Sequence, residues 1–150
     1  MNEGFNNMKK IIIFIVCIII VLLSIFGNKY INYREEQSKI KKENLEYEAY
    51  LDKEITGREL TTMINRAVNN NEKNSVKKDE NGLYIDNDIN SIKIEIKITD
   101  NDTTYQMETL YNRGMETFIQ YYGDISFYCA KIEYNSNKRV SYVVFEQKTS

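Results

Sequence analysis

Apolar residues along this chain change their spacing from segment to segment, and each spacing predicts an element. Ile11 to Phe26 is a block of sixteen residues without charge, broken only by Cys17 and Ser24 among Ile, Val, Leu and Phe. Continued to Asn28, the uncharged stretch reaches eighteen residues. As a helix that is about 27 Å, just enough for a hydrocarbon core of about 30 Å. Residues 29–54 are charged and contain neither Gly nor Pro, which predicts a helical connector. A heptad frame puts Tyr33, Ile40 and Tyr47 at one seam position but Gln37 and Asn44 beside Leu51 at the other. A stripe so polar predicts a solvated stalk in preference to a stable coiled coil.

Beyond the connector the period becomes that of an amphipathic helix. Thr56 can cap it while Glu59 returns a hydrogen bond, and Ile55 can staple onto Leu60. Leu60, Met63, Ile64, Ala67 and Val68 then form one apolar face, with Asn69-Asn70-Asn71 expected to end the helix. Thr56-Gly57 has a second reading as a ligand loop at a helix N-terminus. Leu83-Tyr84-Ile85 follows an Asn81-Gly82 turn signal, and Ile92, Ile94, Ile96 and Ile98 alternate with polar residues, predicting two strands. Asp102 or Thr103 is expected to cap a second helix running to Tyr122. Its apolar side is Met107, Leu110, Tyr111, Met115, Phe118 and Tyr122, with Gly114 permitting close packing and Gly123 stopping it. Strands over 126–134 and 139–145 flank the polar turn Asn135–Lys138. The order α-β-β-α-β-β predicts an α+β domain, an antiparallel sheet with both helices on its apolar face.

The apolar block reads as a retained anchor or as a cleaved signal peptide. It is longer than the roughly 7 to 15 apolar residues of a removed signal, and no Ala-x-Ala-like site follows it, which favours retention. Phe14-Ile15-Val16 lacks the small residue expected before a lipidated cysteine at Cys17. Lys9-Lys10 directly before the block is the arrangement of a signal anchor, although more positive charge follows the block than precedes it. Domains longer than about 60 residues cross largely regardless of charge. The expected organisation is a cytoplasmic tail (1–10), a transmembrane helix (11–28), the connector (29–54) and an extracytoplasmic domain (55–150). Tyr30 and Tyr33 would sit in the interfacial belt.

Composition narrows the chemistry. Eighteen Asn, twenty-one Ile and fifteen Lys, with no Pro, Trp or His, fit an AT-rich bacterial genome. Without histidine there is no Ser-His-Asp relay, no Cys-His pair and no imidazole for zinc. The six glycines make no phosphate-cradling motif. Asp86-Asn87-Asp88 resembles the start of a calcium loop, but Ser91 stands at the sixth position and Lys97 at the twelfth, so a turn is expected there and at Asp100–Asp102. No catalytic, metal or cofactor residue is assigned, and the chain is read as a non-enzyme. Beyond Gly27 eighteen basic and twenty-one acidic side chains leave a net charge near −3, which argues against nucleic acid as a partner. Cys17 in a membrane cannot bridge to Cys129, which reads as a small buried residue or, alternatively, as an intermolecular thiol.

Twelve tyrosines, all beyond the anchor, carry the remaining hint. Tyr105, Tyr111, Tyr121 and Tyr122 fall on or beside the second helix, either as half-buried core or as a contact surface. Tyr105 and Tyr121 are the candidate partner contacts, with Tyr122 facing inward. The expected function is an anchored interaction module of the cell envelope, part of a surface or secretion assembly, with the bilayer and an envelope protein or a second copy as partners. A ligand-binding sensor and an acid-dependent hydrolase of wall glycans are the alternatives.

Ile55 to Asn74, Asn90 to Ile96 and Met115 to Tyr134 resemble a family of small, uncharacterised membrane-anchored proteins of low-GC Gram-positive bacteria. The resemblance covers most of the chain, implies this architecture and an envelope location, and carries no catalytic residue. A membrane helix leading to a capped helix and a small sheet is also similar in plan to pilin-like proteins. Gly4-Phe5, however, is followed by polar Asn6-Asn7-Met8-Lys9 where a prepilin would begin its apolar run.

Overall fold

The computed structural model describes residues 3–148, so the outermost residues of the expected tail and domain, 1–2 and 149–150, lie outside the described residues. The chain divides into two compact units, Met1–Lys39 and Ile40–Ser150. A single helix, α1 (Glu3–Glu48), supplies the first unit and opens the second. Its apolar block is long and apolar enough to cross a membrane, with Phe14 and Leu23 about two-thirds exposed. β-Branched Ile and Val are mediocre helix formers in water, yet the block is helical throughout, a form that satisfies its backbone internally as a membrane span requires. Ser24 follows the same rule by donating to the Ile20 carbonyl at 2.9 Å.

The second unit continues with β1 (Glu54–Thr56), α2 (Gly57–Lys73), β2 (Lys93–Ile98), β3 (Thr103–Gln106), α3 (Met107–Arg113), α4 (Met115–Tyr122), β4 (Ser126–Tyr134) and β5 (Val140–Gln147). The five strands lie in the order β1-β4-β5-β2-β3. The sheet is mixed, which corrects the expected antiparallel one: β2 and β5 run parallel from Lys93↔Tyr142 to Lys97↔Glu146, and every other pair is antiparallel. The cause is the connection. Two antiparallel hairpins are joined through α3 and α4, and β5, not β4, lands beside β2. The central position of β5 shows in its burial, since Val143, Val144 and Phe145 are buried in succession.

Local rules account for much of the rest. Thr56 and Glu59 form the full capping box: the Glu59 amide donates to Thr56 Oγ1 at 3.3 Å and the Thr56 amide to Glu59 Oε2 at 2.8 Å. That amide holds the Glu59 carboxyl below the usual range. Leu60, Met63, Ile64, Ala67 and Val68 bury the predicted face against a core that includes Ile94, Ile96, Ile98, Phe127, Val143 and Phe145.

Several expectations are corrected. The helix expected over 103–122 begins as a strand, because Asp102 at φ +50° makes a tight turn that sends β3 back along β2. It then breaks between α3 and α4 at Gly114, whose φ of +84° only glycine adopts without strain. The segment 83–85 is no strand, only a single bridge between Lys78 and Tyr84. Asn69-Asn70-Asn71 does not end α2, which runs on to Lys73. Asn71 is fully buried instead: its Nδ2 donates to the Ile92 carbonyl at 2.7 Å and its Oδ1 accepts from the Ile92 amide at 2.9 Å.

The connector also departs from a solvated stalk. Compact structure starts at Ile40, well ahead of the boundary expected at 55, because Ile40, Asn44 and Tyr47 are buried. The polar seam residue is what docks this end of α1. Asn44 Nδ2 donates to the Lys138 carbonyl at 2.7 Å and Oδ1 accepts from the Val140 amide at 2.9 Å. Glu43 and Arg139 pair beside it at 2.7 Å.

Asn71→Ala strands two buried backbone groups, so we expect a loss of roughly 2 to 6 kcal/mol at about 1 to 3 per group. Thr56→Ala opens a cap at the surface and should cost about 0.5 to 2 kcal/mol. Urea melts of a fragment spanning 40–150 rank the two. A larger loss at Thr56 would contradict the role given to Asn71.

Candidate functional site

The break at Gly114 opens a groove. Tyr105 of the edge strand β3 forms one wall, Leu110 and Arg113 of α3 another, and Thr117, Phe118, Tyr121 and Tyr122 of α4 the third. The space is about 390 Å³ and open to solvent. Both contact candidates read from the sequence, Tyr105 and Tyr121, thus meet at one site, whereas Tyr111 lies outside it. Tyr121 is 68% exposed and Tyr105 is half-buried. Tyr122, expected to face inward, is half-buried, with its ring 5.2 Å from that of buried Phe118.

The walls are held from behind. Gly57 sits so close to the end of α4 that an added Cβ would overlap the Tyr122 carbonyl oxygen. The Gly57 amide donates to the Ile125 carbonyl at 3.0 Å and the Arg58 amide to that of Gly123 at 3.1 Å. With Glu59 capped by Thr56, the first three amides of α2 are all occupied, so Thr56-Gly57 is a cap and a packing contact and offers no ligand loop. On α3, buried Glu108 accepts from the Tyr84 amide at 2.9 Å. Arg113, which sequence reasoning passed over, is the one charged side chain lining the groove. It is exposed and has no ion-pair partner among the described residues. The only signal for it was its place beside Gly114, read there as a packing glycine and not as a break.

Several polar clusters elsewhere have their groups paired off. On the polar face of the sheet Glu146 accepts from Tyr128 at 2.6 Å and from Lys97 at 2.9 Å, and Glu95 accepts from Gln106 at 2.7 Å. Those bonds from Tyr128 and Lys97 hold the Glu146 carboxyl below its ordinary range. A polar cleft holds Glu54, Asp100 and Asp124, but Lys148, Gln147 and Arg58 respectively engage them. In the loop 86–91, Asp86 accepts from the Asp88 amide and the Ser91 hydroxyl, and Asn87 Oδ1 accepts from the amides of Ile89, Asn90 and Ser91. Asp88 reaches across to the Ser136 amide at 3.0 Å. Among the described residues no three His, Cys, Asp or Glu side chains gather as a metal set. Cys129 is buried, and that burial pushes its thiol up, away from the reactive thiolate.

No protein-family model, curated protein or solved structure matches the chain.

The two adjacent tyrosines of α4 should therefore separate experimentally. Tyr121→Ala is expected to leave stability within about 0.5 kcal/mol. Tyr122→Ala should cost about half of the roughly 3 to 5 kcal/mol of a fully buried aromatic. Urea melts of both variants measure the difference, and equal losses would remove Tyr121 as a free contact residue.

Proposed function

We propose that this protein is a membrane-anchored, extracytoplasmic interaction module of a bacterial cell envelope that contacts a partner protein through the aromatic groove, as part of a surface or secretion assembly. The apolar block of α1 serves as a single-pass signal anchor, with Lys9-Lys10 on the cytoplasmic side. One observation carries the reading: Tyr121 stands exposed, and Arg113 exposed and without an ion pair among the described residues, at a groove walled by aromatic rings. Tyrosine and arginine are the residues that supply most energy per contact at protein interfaces.

The same observation weighs against the alternatives. Sites for small ligands bury most of the ligand's surface, and this groove is open. Glycan hydrolysis uses two carboxyl groups flanking the bond, and none lines the groove among the described residues. The net negative charge beyond the anchor disfavours nucleic acid.

Photo-cross-linking in cells tests the reading. A photoreactive residue at Tyr121 should give a discrete adduct with an envelope protein, while one at Asn65, on the exposed side of α2, should not. Equal labelling at both positions would sink the groove as the contact. Protease added to spheroplasts checks the topology, since the domain should be digested before the membrane is opened. A domain that survives until permeabilisation would reverse the orientation.

A further inference from the structure

The two edges of the sheet are built differently. At one end β1 pairs with β4 over only Glu54 to Thr56, and the part of β4 beyond it is interrupted by irregularities at Cys129/Lys131 and Glu133/Tyr134. Exposed Lys131 and Glu133 sit on that stretch, paired with each other. Irregular pairing and charge are the devices that keep an edge from accepting a further strand. At the other end β3 reads Thr103-Thr104-Tyr105-Gln106, with a regular register against β2 and no charge, proline or bulge. Threonine and tyrosine favour the extended state. Among the described residues no strand lies beyond β3.

This edge, short but regular and uncharged, also lines the groove through Tyr105, the one strand residue to do so among the described residues. In an antiparallel pair, residues directly opposite lie on the same face with Cβ atoms about 5 Å apart. A residue opposite Tyr105 would therefore direct its side chain toward Tyr121 and Phe118. Its neighbours two positions away would point to the same side, toward the groove that Arg113 also lines.

We infer that β3 accepts an extended segment of a partner protein as a sixth strand, with an aromatic or branched apolar side chain in the groove and a carboxylate on Arg113. Main-chain hydrogen bonds to β3 supply affinity, and the groove and the arginine supply selectivity. Charge decides the occupant's chemistry, since the groove offers one unpaired cation and no carboxylate among the described residues. The inference rests on the groove being the contact surface and adds how the partner lies in it.

The test uses the full-length chain in lipid nanodiscs and a randomised twelve-residue peptide library displayed on phage, counter-selected on empty discs. Enriched peptides should lack proline over a central run of about four residues, alternate apolar with polar positions and carry Asp or Glu. Synthesised and followed by fluorescence anisotropy, they should lose at least tenfold in affinity when a central amide facing β3 is N-methylated. Methylation of the next amide, which faces away, should change little. Tyr121→Ala and Arg113→Ala should each weaken binding at least fivefold.

Binding that depends on Tyr121 but tolerates N-methylation at every position would overturn strand addition and leave the groove as the contact. Binding indifferent to Tyr121→Ala would overturn both. No enrichment over empty discs would overturn strand addition, with cross-linking at Tyr121 then deciding the groove separately. Spontaneous disulfide linkage of Thr104→Cys chains lacking Cys17 would assign the edge to a second copy and overturn a foreign strand.

Discussion

Two buried asparagines hold this domain together. The residues that open the two parallel strands, Ile92 before β2 and Val140 in β5, are buried, so their backbone groups need partners. Asn71 of α2 bonds both the amide and the carbonyl of Ile92, immediately before β2. Asn44 of α1 bonds the Lys138 carbonyl and the Val140 amide at the start of β5. Only an amide side chain offers a donor and an acceptor together in this way. The Asn71 clamp removes two backbone groups from the penalty of burial without a partner, and the Asn44 clamp removes one, the Val140 amide, at about 1 to 3 kcal/mol apiece. Each also fixes the position of its helix along the sheet. Because β2 and β5 are the two strands that pair in parallel, the clamps brace the central ladder to which the β3 and β4 hairpins attach on either side.

The groove inherits this rigidity. Helix α2 is fixed at its C-terminal end by Asn71, and its N-terminal end holds α4 through the close approach of Gly57 to Tyr122 and the amide bonds to Gly123 and Ile125. Phe118 bridges from α4 to Phe127 of β4, its ring 6.1 Å away. Helix α3 is tied through Glu108 to the loop that carries Tyr84. The exposed Tyr121, its ring 6.5 Å from that of Tyr122, and Arg113, without an ion pair among the described residues, are therefore presented from a fixed frame. A preorganised contact loses little conformational entropy on binding.

Features set by near neighbours were legible in the sequence. The capping box at Thr56, the alternation of Ile92 to Ile98 and the final hairpin each depend on residues within a few positions, and each is found where expected. Features set by distant partners were not. The heptad frame marked Asn44 as a defect in a stalk, and only the start of β5, far along the chain, shows it to be a clamp. Asn71 read as a helix stop because asparagine usually competes with helical hydrogen bonds, whereas here Ile92 occupies its amide. The sheet was expected to be antiparallel throughout because alternation identifies a strand without identifying the direction of its partner. Tyr105 and Tyr121 were picked as one helical cluster. They do meet, but Tyr105 comes from a strand, so the site was anticipated from aromatic density and not from its geometry.

Aromatic density alone would have pointed equally to the polar face of the sheet. Tyr128 is exposed there, and its hydroxyl is already spent on Glu146, which also holds Lys97. A partner binding on that face would have to break or bury these pairs, and desolvating paired charges returns little net free energy. At the groove the exposed ring of Tyr121 gives up only water, and Arg113 has no existing ion pair to surrender. The difference between the two surfaces is thus one of prior commitment. Their tyrosines are chemically the same, and the bonds that Tyr128, Glu146 and Lys97 make with one another leave the groove as the one of these two surfaces with attraction to spare.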